Sequence, residues 1–250
     1  MVAVRLTVVG CAPAYTIRPG RSSSCYLVEH GSTRIVLDLG AGSFSETWRY
    51  SSFGEVAAVF ISHMHADHNV DLIPLRHWVK YANRGYGPAL YSPAELRARF
   101  DEFQADTDFL ADLHGESLAV RSFLVGDLRI EAAHVTHIPD SFAFRVSAAS
   151  GDGAGLVYSG DCGVADDLLP LVRAGDTLLS EAAWGAGKQD VPIHMTAGQA
   201  AGAAARGGAK NLILTHILDD RRESDARAAA AKLFEGEVSI AQPGLEIAVR

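Results

Sequence analysis

The 250-residue chain is long enough to bury a sizeable core, and positions 1–250 read as a single domain. Hydrophobic residues at 48% and charged residues at 21% exclude disordered, collagen-like and coiled-coil classes. A formal net charge of −8 disfavours extended nucleic acid as a partner, and three cysteines with no Cys-x-x-Cys pairing exclude a disulfide framework or thiolate zinc finger, as in a reducing cytoplasm.

In chain order, apolar runs between turn residues predict strands at 2–9, 25–29 and 33–39, an antiparallel meander broken by Pro19-Gly20 and His30-Gly31-Ser32. The apolar N-terminal stretch is too short to span a bilayer and lacks the regions of a signal peptide, so a cytoplasmic protein is expected. A continuous apolar run over 56–61 predicts a strand covered on both faces, and 70–83 has helical spacing. Ser92 as a cap with Pro93 in the first turn predicts a helix over 93–103, and 124–133 predicts two strands around Gly126-Asp127. Strand 156–158, helix 165–173, strand 177–180, helix 196–206, strand 212–214, helix 221–234 and strand 246–249 complete an α/β pattern without a linker. Val59-Phe60-Ile61-Ser62-His63 is echoed by Leu212-Ile213-Leu214-Thr215-His216. Each half therefore delivers a histidine at a strand's C-terminal end, where α/β sheets place ligand crevices.

Of ten histidines, three fall in Ser62-His63-Met64-His65-Ala66-Asp67-His68. In extended backbone alternate residues point the same way, so His63 and His65 can grip one cation while Asp67 and His68, past the bend, face a second. Four such side chains after a buried strand would be costly to desolvate as mere loop polarity.

This motif, His-x-His-x-Asp-His after a buried strand, resembles the signature of the metallo-β-lactamase superfamily, and the resemblance spans nearly the whole chain. It implies a four-layer αββα sandwich with a binuclear site at one edge. It further implies His63, His65 and His137 on the first metal, Asp67, His68 and His216 on the second, and Asp161 bridging both. His134, three residues before His137, is the competing third imidazole. Asp38 stands where the superfamily orients ligands from behind, although a strand-end turn would also use an aspartate there. Cys162 is assigned to packing, and His30, His77 and His114 to the surface.

Two cations sharing a carboxylate leave room for a bridging water whose pKa falls toward neutrality, giving hydroxide at pH 7. Imidazole and carboxylate donors without thiolate suit Zn²⁺ and also tolerate Mn²⁺ or Fe²⁺.

Ser180-Glu181-Ala182-Ala183-Trp184 and Ile193-His194-Met195-Thr196 resemble the superfamily branch of ribonuclease Z and its cyclic-nucleotide phosphodiesterase relatives. The resemblance implies that His194 faces the scissile phosphate with Glu181 on its other nitrogen, so that Asp67, His194 and Glu181 serve catalysis. Ribonuclease Z carries a basic tRNA-binding arm between the ligands that match His137 and Asp161, but only 23 residues separate them here. The expected activity is therefore cleavage of a small phosphodiester such as a cyclic nucleotide. Ribonuclease Z-type tRNA 3′ processing, or a thioesterase or lactonase on the same scaffold, is the alternative. The branch often dimerises, which allows a homodimer here.

Two features are expected to hold a small anionic substrate. Arg18 and Arg21 flank Pro19-Gly20 before Ser22-Ser23-Ser24, combining guanidinium and hydroxyl donors. Arg76, Lys80 and Arg84 fall at i, i+4 and i+8, forming a basic stripe or an ordinary solvated helix face.

Overall fold

The computed structural model describes residues 3–84, 86–139, 141–151 and 153–249; Val2, Asp140 and Asp152, which belong to predicted segments, lie outside the described residues. The first half contributes β1 (Val4–Gly10), β2 (Cys25–His30), β3 (Thr33–Leu37), α1 (Ser43–Thr47), β4 (Ala58–Phe60), α2 (Ala66–Asn69), α3 (Leu72–Tyr81), β5 (Ala89–Ser92), α4 (Leu96–Gln104) and β6 (Gly115–Ser117). The second contributes β7 (Ser122–Val125), β8 (Leu128–Val135), β9 (Ser141–Ala148), β10 (Leu156–Tyr158), a 3₁₀ turn at Ala165–Leu168, β11 (Thr177–Glu181), α5 (Ala197–Gly207), β12 (Asn211–Thr215), α6 (Glu223–Ala230), β13 (Glu237–Ile240) and β14 (Glu246–Val249).

The strands form two seven-stranded sheets, ordered β14-β1-β2-β3-β4-β5-β6 and β13-β12-β11-β10-β9-β8-β7. Period-two alternation makes the layers. In β2, Tyr26 and Val28 face the second sheet while Cys25 and Leu27 face the helices, and all four are buried. Phe60, Phe144 and Tyr158 fill the space between sheets. Leu72, Leu75 and Val79 of α3 with Leu96 and Phe100 of α4 cover the first sheet, and the alanines of α5 and α6 cover the second. The result is the expected α/β sandwich, with helices flanking two mixed sheets. No helix among the described residues is long and apolar enough to cross a membrane.

Several local expectations are corrected. Ser92 ends β5 rather than capping a helix, because it pairs in register with Ser117, and α4 starts three residues later after a Pro93 turn. The predicted helix over 165–173 is only a single 3₁₀ turn, and that over 221–234 shortens to α6. Strands β5, β6, β9 and β13 and helix α1 were not predicted. Thr196 does cap α5: its side chain accepts from Gln199 N, and the Gln199 side chain returns to Thr196 N.

One buried ion pair fixes the strands that lead to the site. Arg145 on β9 donates through Nε and Nη2 to the two oxygens of Asp176 at 2.8 and 2.9 Å, and Asp176 also accepts from Gly155 N and Arg173 N. Asp176→Ala leaves the buried Arg145 guanidinium with Glu131, at 3.3 Å, as its remaining carboxylate and strands Gly155 N and Arg173 N, and a loss of up to about 3–5 kcal/mol is expected from the urea unfolding curve. A loss below about 1 kcal/mol would contradict the assignment of this pair.

Candidate metal centre

Strand direction brings the chemistry to one edge. β1, β3 and β4 run the same way in the first sheet, as do β8, β10, β11 and β12 in the second. Asp38 follows β3, His63 follows β4, His137 follows β8, Asp161 follows β10, Glu181 ends β11 and His216 follows β12. Asp38 and His216 hold left-handed backbone, at φ 57° and 55°, a conformation that places these side chains at the cost of local strain. Gly40 permits the motif loop to pass close by: a Cβ there would lie 1.9 Å from Asp67 O. Gly160, at φ 55°, performs the same service before Asp161, where a Cβ would meet Phe142 O at 2.6 Å.

Hydrogen bonds behind the ligands set their tautomers. His68 Nδ1 donates to Asp38 Oδ2 at 2.7 Å, which leaves Nε2 as a lone pair. Ser62 Oγ donates to the same oxygen at 2.8 Å and so accepts from His63 Nδ1 at 3.0 Å. His137 Nδ1 donates to Ile193 O at 2.7 Å. The lone pairs of His63 Nε2 and His137 Nε2 therefore both face His65 Nδ1, at 3.1 and 3.2 Å. A ring proton on His65 satisfies one of them at most, whereas a cation satisfies all three nitrogens.

Asp161 Oδ2 lies 3.5 Å from His63 Nε2 and 3.9 Å from His137 Nε2. Its Oδ1 lies 3.4 Å from His68 Nε2 and 3.7 Å from His216 Nε2. Asp67 Oδ2 completes the second group, 3.1 Å from His216 Nε2 and 3.4 Å from His68 Nε2. The ligand atoms of His63, His65, His137 and Asp161 are mutually within 4.8 Å, as are those of Asp67, His68 and His216. Asp161 Oδ1 is buried without a hydrogen-bond partner, a costly state for a carboxylate that a cation would relieve.

The charge states of His63, His65 and His137 agree with this donor set, while His68 and His216, despite their burial, are drawn toward protonation by the carboxylates around them. Burial pushes His63 and His65 below the ordinary imidazole range and His137 down to about 4, leaving neutral donors. Burial would raise the Asp161 carboxyl, but the adjacent His216 and His68 hold it well below the usual carboxylate range. Burial would likewise keep His68 neutral, yet Asp161 and Asp38 draw a proton onto it, the same excess of negative charge that favours a divalent cation. These residues fit two cations, with Asp161 between them.

His194 joins the edge. Its Nδ1 lies 3.0 Å from Glu181 Oε1 and 3.8 Å from Asp161 Oδ2, and its side chain is 20% exposed, unlike the buried His63 and His68. Burial disfavours its charge, but the Glu181 hydrogen bond and carboxylate push it up to about 9. Glu181 is held in turn by Cys162 N and Ala183 N, each at 3.0 Å. The Cys162 thiol is buried and donates to Val164 O.

Other candidates are placed elsewhere. His134 pairs in register with Phe142 in the β8–β9 ladder and stacks on its ring, away from the cluster. Arg18 is tied to Glu223 at 2.7 Å and Asp219 at 3.4 Å. Arg21 has no carboxylate within ion-pair distance among the described residues, and Arg18 and Arg21 both line a cavity of about 20 Å³ that His216 also lines. Ser22, Ser23 and Ser24 are buried, so this loop does not offer the expected row of hydroxyls. The Arg76-Lys80-Arg84 stripe does not form: Arg76 is buried against the Phe109 ring and donates to Phe109 O and Asp106. His77 and His114 are exposed as expected, while His30 is half-buried. Sequence reasoning missed Asn69, whose Nδ2 donates to the carbonyls of His63 and His65 and pins the motif loop. Its place directly after the final motif histidine was the available signal.

Residues 33–217 match a family model described as "Beta-lactamase superfamily domain". The uncharacterized protein Rv1339 of Mycobacterium tuberculosis (strain ATCC 25618 / H37Rv) is 34% identical over 95% of this chain and 89% of its own. The probable metallo-hydrolase YhfI of Bacillus subtilis is 26% identical over 96% of this chain and 98% of its own, and its crystal structure superposes with a TM-score of 0.85 over 98% of this chain and 99% of that one. Ribonuclease Z of Myxococcus xanthus is 24% identical over 99% of this chain and 98% of its own.

Proposed function

The chain belongs to the beta-lactamase superfamily, whose members here indicate a metal-dependent hydrolase, and from that premise we propose that it hydrolyses a small phosphodiester, with a cyclic nucleotide as the leading candidate. The observation that carries the reading is His194. With Nδ1 committed to Glu181 and 3.8 Å from Asp161 Oδ2, the ring stands at the edge of the centre and its other nitrogen is the one left for substrate. A positively charged imidazole there is suited to a phosphoryl oxygen that gains negative charge, or to protonating the leaving oxygen. Zn²⁺ suits the donor set, and two such cations, when bound, would polarise the phosphoryl group and lower the pKa of a shared water. Asp67, Asp161 and the five imidazoles would hold them.

The relative named ribonuclease Z supports a phosphodiester as the reacting group. The chain's own length limits the substrate: only 23 residues separate His137 from Asp161, and β9 and β10 lie among them, leaving no length for an arm that grips a large RNA. The partner is then a small anion. Zinc-loaded protein assayed side by side on bis(p-nitrophenyl) phosphate, cyclic nucleotides, a tRNA precursor and a lactone panel tests this. Turnover of the small phosphodiesters is expected; turnover confined to lactones or thioesters would overturn the reaction class, and preference for the tRNA precursor would overturn the substrate size.

A further inference from the structure

No strand of one sheet pairs with a strand of the other among the described residues, and the backbone tie from the second sheet to the motif loop, Phe142 N to Ser62 O at 3.0 Å, lies beside His63 of the first site, so the spacing of the second site's ligands depends mainly on side chains. The second cation's ligands are divided in this way: Asp67 and His68 come from the first sheet's loops, Asp161 and His216 from the second's. Apolar packing is non-directional and sets such a gap only loosely. A hydrogen bond to a carboxylate is short and directional.

One such bond crosses here. Tyr158, the last residue of β10, donates its hydroxyl to Asp38 Oδ2 at 2.6 Å. Asp38 is fully buried and takes three other bonds, from Ser62 N at 2.6 Å, Ser62 Oγ at 2.8 Å and His68 Nδ1 at 2.7 Å. Those three come from the first half, so among these partners Tyr158 alone belongs to the second sheet, and it precedes Asp161 by three residues. Tyr26 of β2 packs against it, ring centroids 4.9 Å apart, and its hydroxyl lies 2.7 Å from Thr215 Oγ1, next in the chain to His216. The two tyrosines thus cross the core in opposite senses, each ending beside a ligand of the same site.

We propose that Tyr158 is a positioning residue for the second metal: through Asp38, its hydroxyl sets the His68 ring at a fixed separation from Asp161 and His216. The first site feels Asp38 only through Ser62, one hydrogen bond further on, and depends on Tyr158 less.

Tyr158→Phe removes the hydroxyl and keeps the ring. Metal-free protein titrated with zinc against a chromophoric chelator is expected to show the affinity of the second site weakened about 10- to 100-fold and that of the first changed less than about threefold. A second-site affinity within about twofold of the wild type, or equal losses at both sites, overturns the proposal. Should Tyr158→Phe not fold, the unaltered protein decides: an exchange-protected phenolic proton of Tyr158 with a nuclear Overhauser contact to the His68 Nδ1 proton is expected, the two heavy atoms being 3.5 Å apart, and its absence overturns the proposal. Neither readout involves a substrate, so this inference and the assigned reaction fail separately.

Discussion

Asp161→Ala is expected to deplete both metal positions and abolish turnover. Oδ2 of Asp161 faces the His63, His65 and His137 group, and Oδ1 faces His68 and His216, so a single substitution removes an anionic ligand from each side. The residual ligands are then four imidazoles with Asp67, plus His63 held at the back by Ser62, and the cluster's negative charge drops just where two dications would repel each other. Metal content is expected to fall below one ion per chain, and kcat/KM by more than the roughly 10²–10³-fold that follows loss of one transition-state stabiliser. Retention of both ions with near-native activity would show that Asp161 does not bridge. Asp161 is 2% exposed and its charge is favoured by His216 and His68, which give up their protons more readily once it is gone, so the variant is expected to keep the fold of the metal-free parent.

His194→Ala separates chemistry from metal binding. The imidazole is anchored by Glu181 and not by the metal-facing nitrogens of the cluster, so both ions are expected to stay. A positioned general acid or charge stabiliser contributes about 10²–10⁴-fold, and a loss of that size in kcat/KM is expected on bis(p-nitrophenyl) phosphate. Any slow lactone hydrolysis by the same preparation should survive better, since it needs the metals but develops no negative charge on a phosphoryl oxygen for His194 to stabilise. Loss of one metal in His194→Ala would instead assign His194 to the ligand set, a geometry that the Asp161, His194 and His216 triplet permits. Equal losses on both substrates would remove His194 from its proposed part in phosphoryl chemistry.

The parts of this molecule that sequence exposed share one property: their meaning is local. His63 to His68 are contiguous, and alternation over His63 and His65 followed by the bend into α2 already suggests a division between two cations. The buried strands that end in histidine repeat in both halves, so the edge carrying the site was also visible. His137 and Asp161 came through family resemblance, because nothing near them in the chain says what they face, whereas His216 was placed at the edge by the strand echo and given its metal only by the resemblance. What stayed hidden is what distant contacts decide. Arg76 has the spacing of a solvated stripe, but the segment around Phe109 folds back over its guanidinium. Arg18 finds its carboxylates more than 200 residues away. Tyr158 reads as a core aromatic at the end of a short strand, and only the packing of one sheet on the other brings its hydroxyl to Asp38. Short strands such as β6 and β13 were missed for the same reason, since pairing with β5 and β12 defines them more than their own residues do.

The claim on which the rest depends is a pair of cations on either side of Asp161. The direct test is an anomalous-scattering map from crystals of the zinc-loaded protein. Two peaks about 3.5–4 Å apart are expected, one among His63, His65 and His137 and the other among Asp67, His68 and His216, with a carboxylate oxygen of Asp161 on each. A single peak, or metal bound away from Asp161, would contradict the account.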